Sequence, residues 1–112
     1  VVSTTPTARL RAQYSIQSQY NSLFNATFQQ NQLATPNIVN IQATSGFTGA
    51  STATLEVPDL STVAGYNTAW GLIAGATTSW SFSATGWPSG TFGGYEEGVT
   101  YLSASKTGTI TP

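Results

Sequence analysis

Cysteine, histidine and methionine are absent from this chain of 112 residues, and ionisable side chains are scarce. Three basic residues (Arg9, Arg11, Lys106) and four acidic ones (Glu56, Asp59, Glu96, Glu97) make 6% charged. Without Cys there is no disulfide and no thiolate metal site. Without His the Ser-His-Asp triad, the Cys-His dyad and the imidazole metal ligand are excluded. Glycoside hydrolysis needs only two carboxylates, so Glu56 or Asp59 could in principle act with Glu96 or Glu97. Such sites also need a polar cleft, and four acids in so short a chain read more simply as surface and turn residues. No enzyme is expected, and no cofactor. Glu96 and Glu97 stand side by side between Gly94 and Gly98 but lack the spacing of a Ca²⁺ loop, so no metal is expected either. Three cations are too few to neutralise a phosphate backbone, which argues against nucleic acid as a partner. No run approaches the roughly 18 consecutive apolar residues of a membrane-spanning helix.

Solvation therefore falls to Ser, Thr, Asn, Gln and Gly, around a chain that is 39% hydrophobic and 12% aromatic with net charge −1. That apolar content is enough to offset the ordering entropy of a folded core. A length of 112 residues suits one domain, 1–112. The chain opens at Val1 and holds no Met, which suits a processed product and an extracellular or cell-surface location.

Pro6 and Thr7 offer a helix start, and no Pro or Gly interrupts residues 8–33. At 100° per residue Leu10, Ile16, Tyr20, Leu23, Phe24 and Phe28 fall within about half the helix circumference. The expectation is an extended arm over 1–7 and one N-terminal α-helix over 8–33, its other face carrying Asn, Gln and Ser in place of ion pairs. A helix so poor in charge would need packing partners on more than one side.

At Thr35-Pro36 the period drops from 3.6 to 2, and 37–112 reads as the β-rich part. Val39, Ile41 and Ala43, then Ala53, Leu55 and Val57, then Trp80, Phe82 and Ala84 each alternate with polar residues. Thr68-Ala69-Trp70-Gly71-Leu72-Ile73-Ala74 reads as a more apolar central strand, and Val99 to Ala104 and Thr107 to Thr111 as two further strands. Ser45-Gly46, Pro58-Asp59, the Gly86 to Gly90 stretch and Gly93-Gly94 supply turns between them. The fold class expected is mainly β, a β-sandwich behind one helix. Gly98-Val99-Thr100-Tyr101 followed by Leu102-Ser103-Ala104 resembles the approach to a late strand in immunoglobulin-like sandwiches, which would make the sandwich immunoglobulin-like.

Function is expected to reside in surfaces. The leading expectation is a structural subunit that self-assembles into an extracellular filament, pilus-like appendage or coat, through helix packing and β-strand addition by its β-prone tails. The partner is then a copy of the chain, with Val1, Val2, Leu10, Tyr14, Ile16, Tyr20, Phe24, Phe28 and Ile110 at the contact. The rival is a monomeric carbohydrate-binding or adhesive module that presents Trp87, Phe92 and Tyr95 to cell-surface glycans. In that reading Trp70 and Trp80 belong to the core. A viral capsid or decoration protein is a third expectation, and Asn25-Ala26-Thr27 fits the N-glycosylation sequon.

Overall fold

A computed structural model describes residues 1–31, 35–49, 51–88, 93 and 97–112. They form six strands: β1 (Arg11–Ser15), β2 (Leu23–Gln30), β3 (Asn37–Thr44), β4 (Thr52–Glu56), β5 (Thr78–Gly86) and β6 (Leu102–Ile110). One four-residue helix, α1 (Ser45–Thr48), follows β3, and short 3₁₀ turns occupy Ser18–Tyr20 and Thr68–Trp70. The chain is mainly β, with two antiparallel sheets: β1 pairs with β4, and the larger sheet runs β3-β2-β5-β6.

The N-terminal helix expected over 8–33 is not there; the described part of that segment, 8–31, forms β1, a 3₁₀ turn and β2. Ile16, Tyr20, Phe24 and Phe28 are spaced by four, an interval that two-residue alternation satisfies as well as a helical face does. Alternation is the pattern that packs. Ala8, Leu10 and Ala12 are buried while Arg11 and Gln13 face out, and in β2 Phe24, Ala26, Phe28 and Gln30 are buried in strict alternation. Asn, Ser, Thr, Tyr and Phe are indifferent helix formers, and the segment has no internal ion pair to compensate.

Two further expectations change. Residues 68–74 form no strand; Trp70 ends a 3₁₀ turn, and Leu72 enters the core through a bridge in which the Ala8 N–H donates to its carbonyl at 2.8 Å. The two late strands merge into the single nine-residue β6.

One core draws on both sheets. Leu10 and Ala12 from the β1 side and Ala53, Leu55 and Val57 from the β4 side meet Phe24, Ala26 and Phe28 of β2. Phe24, Leu55 and Leu72 are fully buried, and burying a side chain of this size contributes roughly 1.5–3 kcal/mol. Buried Gln30 locks the 71–77 segment to the end of β2. Its amide N–H donates to the Ile73 carbonyl (2.9 Å) and to Thr78 Oγ1 (2.8 Å), and its oxygen accepts from the Ile73 N–H (2.8 Å). Across β1 and β4 the Glu56 carboxylate takes Arg9 at 2.8 Å on one oxygen and Arg11 at 2.6 Å on the other.

Both chain ends fold back onto their own body. The Val2 N–H donates to the Arg9 carbonyl and the Arg9 N–H to the Ser3 carbonyl, each at 2.8 Å, so residues 1–7 are not a free extended arm. At the other end the Gly75 N–H donates to the Pro112 carbonyl at 2.7 Å.

Candidate functional site

Sheet order decides what is left open. In β3-β2-β5-β6 the outer strands are β3 and β6, and each has one side with no neighbouring strand among the described residues of the larger sheet. Unpaired N–H and C=O groups along such an edge are a template for another strand.

Beside the β3 edge lies a groove of about 770 Å³. Five consecutive β3 residues, 38–42, line it. Successive strand residues point to opposite faces, so a groove that touches all five follows the edge of the strand and not one face. Its far wall is built by Leu60, Val63, Tyr66 and Trp70. Leu60, Val63 and Trp70 are exposed, Trp70 at 64%, and the Tyr66 ring meets Trp70 edge-on at 6.2 Å. Among the described residues, no carboxylate, ammonium or guanidinium lines the groove. Asp59 braces the loop behind the wall: Ser61 donates to its carboxylate from Oγ (2.7 Å) and from its N–H (3.0 Å). Those hydrogen bonds, with a smaller contribution from Arg9, hold its pKa below the ordinary carboxylate value.

The opposite edge, β6, is exposed along its whole length except at Gly108, which is half-buried. Gly108 packs directly under the Trp80 ring, where a Cβ would collide with the indole. Strand register divides β6 cleanly. Leu102, Ala104, Lys106, Gly108 and Ile110 share the core-side face with Ala84, Phe82 and Trp80, while Ser103, Ser105, Thr107 and Thr109 share the outer face with Thr85, Ser83, Ser81 and Ser79. That outer face continues through Asn25, Thr27 and Gln29 of β2 to Ile38, Asn40 and Gln42 of β3; none of these residues is charged, and Ile38 is an exposed apolar member.

The residues expected at the assembly contact divide sharply. Leu10, Phe24 and Phe28 are core residues and cannot form an external interface; Tyr14, Ile16 and Tyr20 are partly buried. Val1, Val2 and Ile110 are exposed at 61%, 38% and 37%. Tyr14 stacks on Phe82 at 5.2 Å, and burial pushes its phenol pKa well above the ordinary value near 10.

The aromatic platform is also relocated. Trp87 is 5% exposed and stacks on Tyr101 at 5.7 Å, so it closes the end of the sheet instead of presenting a ring to solvent. Phe92 and Tyr95 lie outside the described residues. Trp70, set aside in the sequence as core, is the exposed indole. Asn25 sits in mid-strand on the outer face, between Gln42 and Ser83, and its Oδ1 is buried with no hydrogen-bond partner. The β3 groove escaped sequence reasoning because its wall comes from the irregular segment 57–70, whose place beside β3 is a tertiary matter. The available signal was the apolar residues Leu60, Val63, Tyr66 and Trp70, which fall outside any alternating run.

Among the described residues no group of three or more acidic side chains converges on a metal-sized site, and no helix is long and apolar enough to cross a membrane. Comparison of the chain with protein-family models, with curated proteins and with solved structures finds no match.

Proposed function

We propose that this protein is a non-enzymatic structural subunit, a β-sandwich that associates with copies of itself by β-strand addition at its open sheet edges. The observation that carries this reading is the groove along β3: among the described residues, a strand edge with no neighbouring strand and no charged side chain beside it, flanked by an apolar wall. An extended segment placed there would gain main-chain hydrogen bonds from β3 and apolar contacts from Val63 and Trp70, the two components of strand-addition recognition. An outer face without charge removes the repulsion that keeps like subunits apart. An extracellular filament, pilus-like appendage or coat is the setting that such surfaces suit. Neither a helix nor a swapped N-terminal arm is part of this mechanism, since 8–31 forms strands and a short turn and Val2 and Ser3 pair with Arg9 of their own chain.

Light scattering over a concentration series, with electron microscopy of the same samples, tests the proposal. Association that grows with concentration, and that is weakened by Val63→Asp with the fold intact by circular dichroism, is the expected result. A chain that remains a sharp monomer at every concentration refutes it.

Trp70 favours a second reading. An indole 64% exposed beside Tyr66, with the Asn40 and Gln42 amides at the rim of the groove, also suits the apolar face and hydroxyl edge of a neutral sugar ring. Quenching of Trp fluorescence by a neutral oligosaccharide, lost in Trp70→Ala, would select the carbohydrate-binding module.

A further inference from the structure

We propose that the strand which enters the β3 groove is β6 of a second copy, so that subunits join head to tail into one continuous antiparallel sheet. This rests on the assembly reading above and names its partner. Three observations converge on β6.

The first is direction. Each neighbouring pair in β3-β2-β5-β6 is antiparallel, so in a sheet of four strands the two edges run in opposite senses. A copy displaced along the sheet in the same orientation therefore brings its β6 antiparallel to β3 without being turned over. The contact is heterologous and leaves a β3 edge and a β6 edge free at the two ends, which is the condition for an open filament.

The second is register. Residues 37–44 of β3 number eight and β6 numbers nine. Only one antiparallel alignment pairs all eight β3 residues while keeping core-side residues on the core side: Asn37 opposite Ile110 through Thr44 opposite Ser103. It places Ala43 beside Ala104, Ile41 beside Lys106 and Val39 beside Gly108 on the core side. On the outer side it places Gln42 beside Ser105 and Asn40 beside Thr107. The uncharged outer face then continues from one subunit to the next, with Ile38 opposite Thr109 as its exposed apolar member at the junction.

The third is charge. Lys106 is the single charged residue of β6, and β3 has none. In the head-to-tail pairing Lys106 meets Ile41, along which its aliphatic stem can lie while the ammonium reaches water. In the fullest symmetric pairing of β6 with β6 of another copy, Leu102 falls opposite Ile110 and Lys106 falls opposite Lys106. Like charges directly across a strand pair are destabilising, so Lys106 disfavours this symmetric pairing relative to the heterologous contact. The apolar members of β6 suit that contact as well, because Leu102 and Ile110, exposed at 51% and 37%, lie on the face towards the groove wall.

Four strands at 4.7–4.9 Å predict a rise of about 19 Å per subunit. A twist of 20–25° per strand predicts a rotation of roughly 80–100° per subunit.

The absence of native cysteine makes the test direct, since only introduced thiols can react. Full-length Gln42→Cys and Ser105→Cys chains, both altered at exposed outer-face positions, are mixed and oxidised at a concentration where light scattering reports association. Asn40→Cys with Thr107→Cys serves as the neighbouring pair, so that either hydrogen-bonding phase of the ladder is covered. A disulfide that joins one chain of each kind by mass, with each variant alone giving at least fivefold less, is the expected result. Assembly without that mixed disulfide, or with the Ser105→Cys homodimer dominant, overturns the head-to-tail inference and leaves strand addition at another edge standing. A monomer at every concentration overturns both.

Discussion

Replacing Tyr14 by Phe removes one oxygen and nothing else from a side chain packed against the edge of the core. The ring lies between Phe82, stacked at 5.2 Å and 14°, and Phe24, edge-on at 5.6 Å and 64°, and those contacts survive the change. The hydroxyl is buried and has no hydrogen-bond partner. A buried polar group left unpaired costs about 1–3 kcal/mol, whereas the void left by one oxygen forfeits about 1 kcal/mol or less. Tyr14→Phe should therefore stabilise the fold by about 1 kcal/mol, which raises Tm by about 3–6 °C in a chain of this size.

The same burial has a pH signature. The folded-state pKa of Tyr14 is raised above the unfolded value near 10, so above about pH 10 the unfolded chain releases a proton that the folded chain retains. The stability is complete below pH 10 and declines as the pH rises above it. The slope is below the ~1.4 kcal/mol per pH unit of a fully buried group, because the ring is only partly screened from solvent. Denaturant melts of both proteins at pH 7 and from pH 9.5 to 11.5 measure the two effects, and Tyr14→Phe should lack this share of the alkaline loss. A variant less stable by 1 kcal/mol or more at pH 7, or one with an unchanged alkaline slope, would refute the assignment of an unpaired buried phenol.

Three further outcomes are expected. Gln30→Leu should cost about 2–4 kcal/mol in denaturant melts, because it strands the Ile73 N–H and the carbonyl that the amide now satisfies, and amide exchange at Ile73 should accelerate. Glu56→Gln should cost about 0.5–1.5 kcal/mol, since it removes the carboxylate shared by Arg9 and half-exposed Arg11 while Arg9 keeps Asp59 at 3.6 Å; raised salt should narrow the gap between the two proteins. Gly108→Val should cost about 1–3 kcal/mol and shift the Trp emission, as the new side chain drives Trp80 off the β6 backbone.

Much of the β structure is legible in the residues themselves. The alternation of Val39, Ile41 and Ala43, of Ala53, Leu55 and Val57, and of Trp80, Phe82 and Ala84 marks β3, β4 and β5, because only a half-buried strand rewards a period of two. The N-terminal third was not legible in the same way. Two strands joined by a short turn put Ile16, Tyr20, Phe24 and Phe28 at intervals of four, and local spacing of that kind serves either structure. Trp87 and Trp70 exchanged places for a related reason: an indole beside Gly and Pro looks exposed and one in an apolar run looks buried until the packing partners are known.

Composition alone determined that this protein has no imidazole or thiol chemistry and almost no surface charge, since those follow from which side chains exist. The tertiary structure decided where the surfaces are. Pairing partners, not local propensity, turned residues 8–31 into two strands and a turn and made β3 and β6 the edges. The segment 57–70 became the wall of a groove only because Val57 and Leu72 anchor its two sides in the core, which the sequence of the segment itself does not encode.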